Sequence, residues 1–328
     1  MGQGNLNLED RMQEYILRRI LQAIPILVGI SIVSFSIVIF APGDPLTTMY
    51  PPYMLQKMDQ EMIRHEMGLD KPLPIQYLNM INKLITGKLY SFSERRLVIE
   101  SVVERLPTTL SLGALSLLIS VILSIPIATI SATKQQSWID GIIDVGSLVG
   151  ISLPSFWVSL VAILIFSEKL KLLPSAGLRP IGSESYNLLE MLPYLVMPVS
   201  MLTLMCLPGL MRYARAGMIE VMREDYIRTA RGKGLTQRII TYRHALKNAM
   251  LPVVTEIGLL IPWLFGGTAI IETIFSLPGL GRLGVKAALG RDYPVILTIN
   301  LLVACLTILS GILTDIAYSI LDPRIRQG

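Results

Sequence analysis

Few residues in this chain have a type and spacing that could support catalysis. The two histidines, His65 and His244, and the two cysteines, Cys206 and Cys305, lie far apart along the sequence. They form no cluster with the spacing of a metal site, and no serine stands beside a plausible base. The ATP-binding P-loop motif does not occur either. The sequence therefore predicts no catalytic residue, no metal site and no bound cofactor, so that any ATP used must be bound by a partner.

One glycine pattern matches a nucleotide-binding motif. Gly279, Gly281 and Gly284 satisfy G-x-G-x-x-G, which binds dinucleotides when it follows a strand and opens a helix. Here the pattern lies in a short loop after an apolar segment, and no βαβ unit surrounds it. We therefore interpret these glycines as a tight turn.

The strongest pattern is a long basic loop, residues 213–249, between two apolar segments. The stretch 212–248 carries nine Lys or Arg and three Asp or Glu, giving a charge of +6 with His244 neutral. A nucleic-acid interface is disfavoured, because loops on the inner side of a membrane are basic in any case. The arrangement favours docking of another protein over a merely solvated loop.

The helical pattern within the basic loop supports docking. Met218, Ile219 and Met222 recur at helical spacing, so the preceding membrane helix is expected to extend beyond the bilayer. Asp225 is predicted to cap a short helix over 226–231, which Gly232 and Gly234 would end in the left-handed conformation. A further helix from 235 or 236 would lead back to the membrane. The predicted docking residues are Glu224, Asp225, Tyr226, Ile227, Arg228, Thr229, Ala230, Arg231, Gly232, Lys233, Gly234 and Leu235.

The composition indicates a membrane protein that positions this loop. Hydrophobic residues make up 52% and charged residues 16%, and the mean hydropathy is +0.57. We predict an all-α, polytopic membrane protein with six transmembrane helices, since about 20 apolar residues cross a bilayer. The first helix is residues 20–41, retained rather than cleaved as a signal. The others lie at about 108–132, 143–167, 191–212, 250–275 and 294–318, within a core of 106–320.

The distribution of Lys and Arg predicts the orientation of the chain. With residues 1–19 and 321–328 inside, inner segments carry 15 Lys or Arg and short outer loops carry 6. The outer segment 42–105 carries the other 8 and is too long to affect orientation. Both termini are therefore predicted to be cytoplasmic, and the basic loop faces the cytoplasm.

Ionisable residues in the apolar segments bear on the mechanism. Asp144, Glu256 and Asp315 fall near predicted inner ends, and Glu272 falls near an outer end. We interpret them as interfacial or interhelical hydrogen-bonding groups, which argues against an ion-coupled secondary transporter. An intramembrane enzyme is disfavoured because no histidine lies within a span. The turn residues at 152–155 and 262–267 mark either hinges or ordinary membrane-helix bends.

Two stretches within and after the basic loop resemble a known family. Residues 226–235 and 243–252 resemble the coupling-loop signature of permease subunits in ATP-binding-cassette importers, and especially of the dipeptide/oligopeptide group. The common form begins Glu-Ala-Ala, whereas this chain has Arg228, Thr229 and Ala230. Sixteen residues separate Gly234 from Leu251, more than in the common form. Further blocks at 42–45, 68–74, 104–110, 152–157, 173–177, 272–281 and 291–294 resemble the first of the two peptide-permease subunits.

The resemblance implies a type I importer fold, a prokaryotic cytoplasmic membrane and a set of partners. These are a homologous second permease, one or two kinds of cytosolic ATPase that bind ATP and Mg, and an extracytoplasmic solute-binding protein. The cargo would be di- or oligopeptides, although relatives also carry nickel complexes or glutathione. Binding-protein contacts are expected in residues 42–105 and 276–284, with Asp44, Asp70, Lys71, Gly279 and Arg282 as candidates.

Overall fold

The computed structural model describes residues 8–40, 46, 52–55, 59–180 and 188–321. Within these ranges the chain is helical, with one isolated β-bridge between Tyr90 and Leu97. The helices are Leu8–Phe40 (α1), Pro52–Leu55 (α2), Gln60–Met67 (α3), Leu73–Ile85 (α4), Val98–Thr133 (α5), Trp138–Ser152 (α6), Ser155–Ala162 (α7), Leu188–Val221 (α8), Asp225–Gly232 (α9), Gln237–Ile239 (α10), Leu246–Ala249 (α11), Leu251–Ile274 (α12), Leu280–Leu289 (α13) and Tyr293–Leu321 (α14). Two π-helical turns, Ile163–Lys169 and Ile240–Ala245, continue α7 and α10.

The helices that could cross a membrane are long and apolar. Five meet this criterion among the described residues: Leu17–Phe40, Val98–Thr133, Leu189–Val221, Leu251–Ile274 and Tyr293–Tyr318. Many of their apolar side chains are exposed, as is expected of helices that face lipid or another membrane subunit. A sixth crossing is available if the bent pair of α6 and α7 forms one span.

That pair corrects one sequence prediction. We expected a single helix over 143–167, but α6 and α7 meet at 98°. The break falls at Pro154, which opens α7, and Leu153 before it is extended at φ −80° and ψ 128°. A proline disfavours the helical conformation of the preceding residue, so the chain turns there. At 152–155 the chain therefore has a sharp bend, whereas α12 continues as one helix through 262–267.

Unit 1 of the chain comprises Met1–Leu106 and Leu283–Ile312. In it α1 contacts α4, where the Ser31 Oγ and Tyr77 OH atoms are 2.7 Å apart and the ring of Phe35 meets that of Tyr77 edge-on at 5.5 Å. On α14, the Asn300 Nδ2 atom donates a hydrogen bond to Ser34 Oγ at 3.1 Å. Polar side chains thus join helices whose outer faces are apolar.

In its described part, the predicted outer segment 42–105 contains three helices, α2, α3 and α4, and the start of α5. The polar stretch around 55–66 predicts a helix, and α3 covers Gln60–Met67 with the Asp59 carboxylate accepting hydrogen bonds from two backbone N–H groups of its first turn. The helical spacing of apolar residues over 77–85 predicts a second helix, and α4 begins earlier, at Leu73, because Pro74 is well suited to a first helical turn. Gly87, at φ +68°, follows its end.

Unit 2 comprises Pro107–Arg282 and Leu313–Gly328. Its core is built by α5, α8 and α12, and small polar residues allow α5 and α8 to approach closely. The Ser120 hydroxyl donates to the Thr203 carbonyl at 3.3 Å, and the Ser116 hydroxyl donates to the Val199 carbonyl at 3.4 Å. This unit holds the basic loop.

Candidate functional site

The short helix α9 stands at the centre of the basic loop, where docking was predicted. It covers Asp225–Gly232 and has two faces. Ile227 and Ala230 are buried, whereas Tyr226 and Arg228 are exposed. Because positions three apart share one face of a helix, a single apolar stripe holds α9 to the protein and its polar surface faces outward.

The start of α9 differs from the prediction that Asp225 is its cap. Asp225 is the first helical residue, and Glu224 before it is extended at φ −66° and ψ 148°; its side chain bonds none of the N–H groups of this described helix. The Asp225 carboxylate still lies at the positive end of the helix dipole. It accepts a hydrogen bond from Arg228 Nη1 at 3.4 Å, and since both groups are exposed the pair contributes little stability.

The end of α9 also refines the prediction. Gly234 adopts a left-handed φ of +76°, and its N–H donates to the Arg231 carbonyl at 3.0 Å. Leu235 N–H reaches the Ala230 carbonyl at 3.3 Å, so the chain reverses tightly. Gly232 is instead the last helical residue, and the prediction that it adopts the left-handed conformation is wrong.

A small hydrophobic cluster anchors α9 beneath its apolar stripe. Ile227 and Ala230 pack with buried residues of the neighbouring elements: Ala132, Met218, Ile240, Ala245 and Ala249. These come from the ends of α5 and α8, the second π-helical turn and α11. The predicted extension of the fourth span beyond the bilayer supplies Met218, and α8 ends at Val221.

The segment of the basic loop that returns towards α12 includes α11, which lies directly against α8. A Cβ atom on Gly217 would stand 2.5 Å from the carbonyl oxygen of Ala249, so only glycine allows this approach. A hydrogen bond from Asn248 Nδ2 to the Tyr226 hydroxyl at 2.8 Å joins the same return segment to α9. Both α8, before α9 in the chain, and the return segment after it therefore hold α9 in place.

An ion pair between a buried carboxylate and a partly exposed arginine lies in unit 2 and was missed by sequence reasoning. Arg215 on α8 donates Nε–H and Nη2–H to the two oxygens of Asp140, at 3.0 Å and 2.9 Å. The backbone N–H of Gln136 and the Ser131 hydroxyl also bond this carboxylate. The arrangement ties the turn between α5 and α6 to α8. The only sequence signal for this pair was that Asp140 and Arg215 carry opposite charges and lie near the ends of two predicted spans on the same, inner side of the membrane.

The glycine-rich segment after α12 is organised by Glu272. This carboxylate is fully buried and accepts hydrogen bonds from the Thr109 hydroxyl at 2.7 Å and from Arg282 N–H at 2.8 Å. A Cβ on Gly279 would overlap the carboxylate, and one on Gly281 would overlap Ala269. The predicted tight turn is thus only partly right, because the last glycines lie in α13. Gly279 and Gly281 are needed for close approach, and the interhelical interpretation of Glu272 is confirmed.

The residues predicted to contact a binding protein differ in their exposure. Gly279 is buried against Glu272, and Arg282 is exposed. Asp70 is exposed and lies 2.7 Å from His65 Nδ1, whose hydrogen bond lowers the pKa of the carboxyl group. Lys71 is exposed in the turn between α3 and α4. Asp44 lies outside the described residues.

The described residues contain no group of three or more His, Cys, Asp or Glu side chains placed to hold a metal ion. In the basic loop, the apolar side chains of α9 are packed inward and its charged side chains are exposed, which suits the binding of another protein's surface. What it offers chemically is a short, anchored helix with an exposed polar face.

Comparison with known proteins agrees with this geometry. Residues 124–327 match the family described as "Binding-protein-dependent transport system inner membrane component", and residues 12–113 match the corresponding N-terminal family. The chain therefore belongs to the binding-protein-dependent transport system inner membrane components.

Relatives and solved structures extend this assignment. The chain is 40% identical over 316 residues to the oligopeptide transport system permease protein AppB of Bacillus subtilis (strain 168), covering 96% of this chain and 99% of the relative. It is 37% identical over 337 residues to the dipeptide transport system permease protein DppB of Escherichia coli (strain K12), with the same coverage. An inward-facing structure of the MetNI methionine ABC transporter aligns with a TM-score of 0.54 at 17% identity, covering 67% of this chain and 95% of that one. The all-α, polytopic type I importer fold is thereby confirmed.

Proposed function

We propose that this chain is one of two homologous permease subunits in an ATP-driven importer, and that the pair encloses a pathway for di- or oligopeptides. Membership of the family supports the transport role. The substrate class is supported by relatives named for oligopeptide and dipeptide transport, which match this chain over almost its full length.

The observation that carries the proposal is the construction of α9. An eight-residue helix is too short to be stable alone, and this one is fixed by two buried side chains. Its exposed face carries Tyr226, Arg228 and Arg231, and the internal contacts of Tyr226 with Asn248 and of Arg228 with Asp225 leave this face open to solvent. Such a face fits a groove on a cytosolic ATPase subunit, which would bind the ATP and Mg that drive transport.

The transport cycle follows from how α9 is attached. ATP binding would close the two ATPase subunits and move the docked α9 with them. Because Ile227 shares one buried cluster with Met218 of α8, and Gly217 lies against Ala249, this movement would reach α8 and α12 rather than be absorbed in the loop. Alternating access then results from the different affinity of the ATPases for the two states.

The orientation is part of the proposal. The basic loop and both termini would face the cytoplasm, in the cytoplasmic membrane of a prokaryote, as the distribution of Lys and Arg favours. Residues 42–105 and 276–284 would then face outward and receive the solute-binding protein, with Asp44, Asp70, Lys71, Gly279 and Arg282 near the contact.

Co-purification tests the proposal. The tagged chain is extracted gently from its native membrane, and accompanying proteins are identified by mass spectrometry. Wild type should bring down a second permease and one or two ATPases. A variant combining Arg231→Glu with Gly234→Val should lose the ATPases but keep the second permease. Lys134→Glu, an equal charge change outside α9, is the control. A chain that purifies alone and transports solute after reconstitution would refute the proposal.

A further inference from the structure

Unit 1 contains an open cavity of about 520 Å³ in its predicted outer segment. It lies between the end of α3, one face of α4, the loop at 88–95 and the first residues of α14. Its volume is within the range of about 300–1,000 Å³ that is usual for ligand sites. Neither the packing of the membrane helices nor the docking of α9 requires it.

One wall of the cavity is the turn between α3 and α4, and hydrogen bonds hold this turn in place. Gly68 ends α3 in the left-handed conformation, at φ +72°. The Gln76 side chain donates to the carbonyls of Leu69 and Lys71, at 3.1 Å and 2.6 Å. These bonds fix the turn against α4, so the position of Lys71 at the rim is set by the backbone.

A buried carboxylate holds the opposite wall. Asp292, which precedes α14, accepts hydrogen bonds from the hydroxyl groups of Ser91 and Ser93 at 2.5 Å and 2.6 Å. It also accepts from the backbone N–H groups of Phe92 and Ser93, at 3.2 Å and 2.9 Å. The ring of Phe92 meets that of Tyr293 edge-on at 6.1 Å. The cavity is thus formed before any ligand arrives, which lowers the entropic cost of binding.

The charge around the cavity is strongly unbalanced. Four cationic side chains line it against a single carboxylate, that of Glu66; the cations are Lys71, Lys83, Lys88 and Arg95. In the described part of the chain neither Lys83 nor Lys88 has a carboxylate partner. The nearby Glu94 is already engaged by Arg96 and Arg105 at 2.9 Å each. Topology does not explain this cluster, since long outer segments escape the positive-inside rule.

We propose that this cavity, lined by Lys71, Lys83, Lys88 and Arg95, is the docking site for an acidic surface segment of the extracytoplasmic solute-binding protein. The inference rests on the proposed function and adds to it the site and the chemistry of one partner. It also narrows the expected contact within residues 42–105 to one preformed concavity.

The type of cation favours a protein that binds and leaves in each cycle. Three of the four are lysines, whose ammonium groups are compact, strongly hydrated and carried on flexible stems. Tight recognition of a small carboxylate ligand usually employs the planar fork of arginine in a desolvated site. Exposed lysines instead accelerate association and set its orientation, with a strong dependence on salt. This behaviour suits a carrier that must be released after delivery.

The test measures binding of the solute-binding protein to the complete transporter in lipid nanodiscs. Wild type is compared with Lys83→Glu/Lys88→Glu and with Lys169→Glu/Lys171→Glu, a matched reversal of two exposed lysines outside the cavity. We expect the cavity variant to bind at least about tenfold more weakly at 0.05 M salt, with a gap of about twofold at 0.5 M. The control variant should match wild type.

Cross-linking identifies the occupant directly. A carbodiimide joins an amine to a carboxylate that contacts it, so Lys83 or Lys88 should become linked to Asp or Glu of the binding protein. Equal binding by the cavity variant and wild type would overturn the inference. So would the absence of any cross-link from Lys83 or Lys88 to the binding protein. If wild-type transporter binds no solute-binding protein at all, the proposed function itself fails, which is a distinguishable result.

Discussion

Replacing Ile227 with alanine should release α9 from the protein without unfolding the membrane helices. Ile227 is fully buried and is the largest side chain on the apolar face of a helix of eight residues. The substitution removes three carbons, worth about 2.4 kcal/mol at about 0.8 kcal/mol each, and leaves a cavity. A total of about 3 kcal/mol is expected, within the range of about 2–5 kcal/mol for such changes.

This loss translates into a measurable opening of the basic loop. An increase of about 3 kcal/mol in the relative free energy of the docked state raises the open population roughly 100-fold. Amide hydrogen exchange in residues 225–235 reports this population when opening is fast. The exchange rates should rise by about that factor in Ile227→Ala, and by about fivefold in Ile227→Val, where about 1 kcal/mol is lost. Exchange in α12 should stay at the wild-type level.

A surface variant separates packing from docking. Arg228→Ala removes an exposed cation whose ion pair with Asp225 is long, at 3.4 Å, so exchange in α9 should change by less than about threefold. The same variant should still weaken co-purification of the ATPases. If Ile227→Ala raises the exchange rates no more than Arg228→Ala does, burial of Ile227 does not hold α9. The proposed transmission of movement from α9 to α8 and α12 would then be wrong.

Substitutions at three glycines of unit 2 test the left-handed conformation of Gly234 and the close approaches at Gly217 and Gly279. Gly234→Asn should retain the ATPases and Gly234→Val should lose them, because valine in the left-handed conformation costs about 1–2 kcal/mol or more. Gly232→Ala is the control, since no described atom lies within 4 Å of the position that its Cβ would take. Gly217→Ala should lower the thermal midpoint, since overpacking against a backbone carbonyl costs about 1–3 kcal/mol; a midpoint equal to that of Gly232→Ala would refute the close contact. Gly279→Ala should displace the Glu272 carboxylate and raise exchange of the N–H groups that it binds. Unchanged exchange there would contradict the assignment.

Sequence reasoning was most successful where the signal is local. Runs of apolar residues predicted the membrane helices, because the bilayer demands length and hydrophobicity from each one separately. The pattern around residues 218–235 predicted a short helix closed by glycine, because caps and left-handed turns depend on neighbours in the chain. The family resemblance, which the comparisons confirm, rested on motifs of the same local kind.

Local reasoning failed where two neighbours compete for one role. Asp225 looked like a cap, but the helix begins one residue earlier and Glu224 takes the flanking position. Both Gly232 and Gly234 could adopt the left-handed conformation, and only Gly234 does. The turn residues at 152–155 marked the place of the bend, but the run of apolar residues still predicted one continuous helix over 143–167.

By itself, the sequence determined the all-α membrane class, the positions of most spans and the existence of a basic loop with a short helix. The tertiary structure alone decided the partners of the buried carboxylates: Asp140 with Arg215, Glu272 with Thr109, and Asp292 with Ser91. These groups lie 75, 163 and 201 residues apart. It also decided that four cations of the outer segment surround one cavity. The reason is physical: hydrophobicity and capping act between near neighbours, whereas a buried charge must find whichever donors folding brings to it.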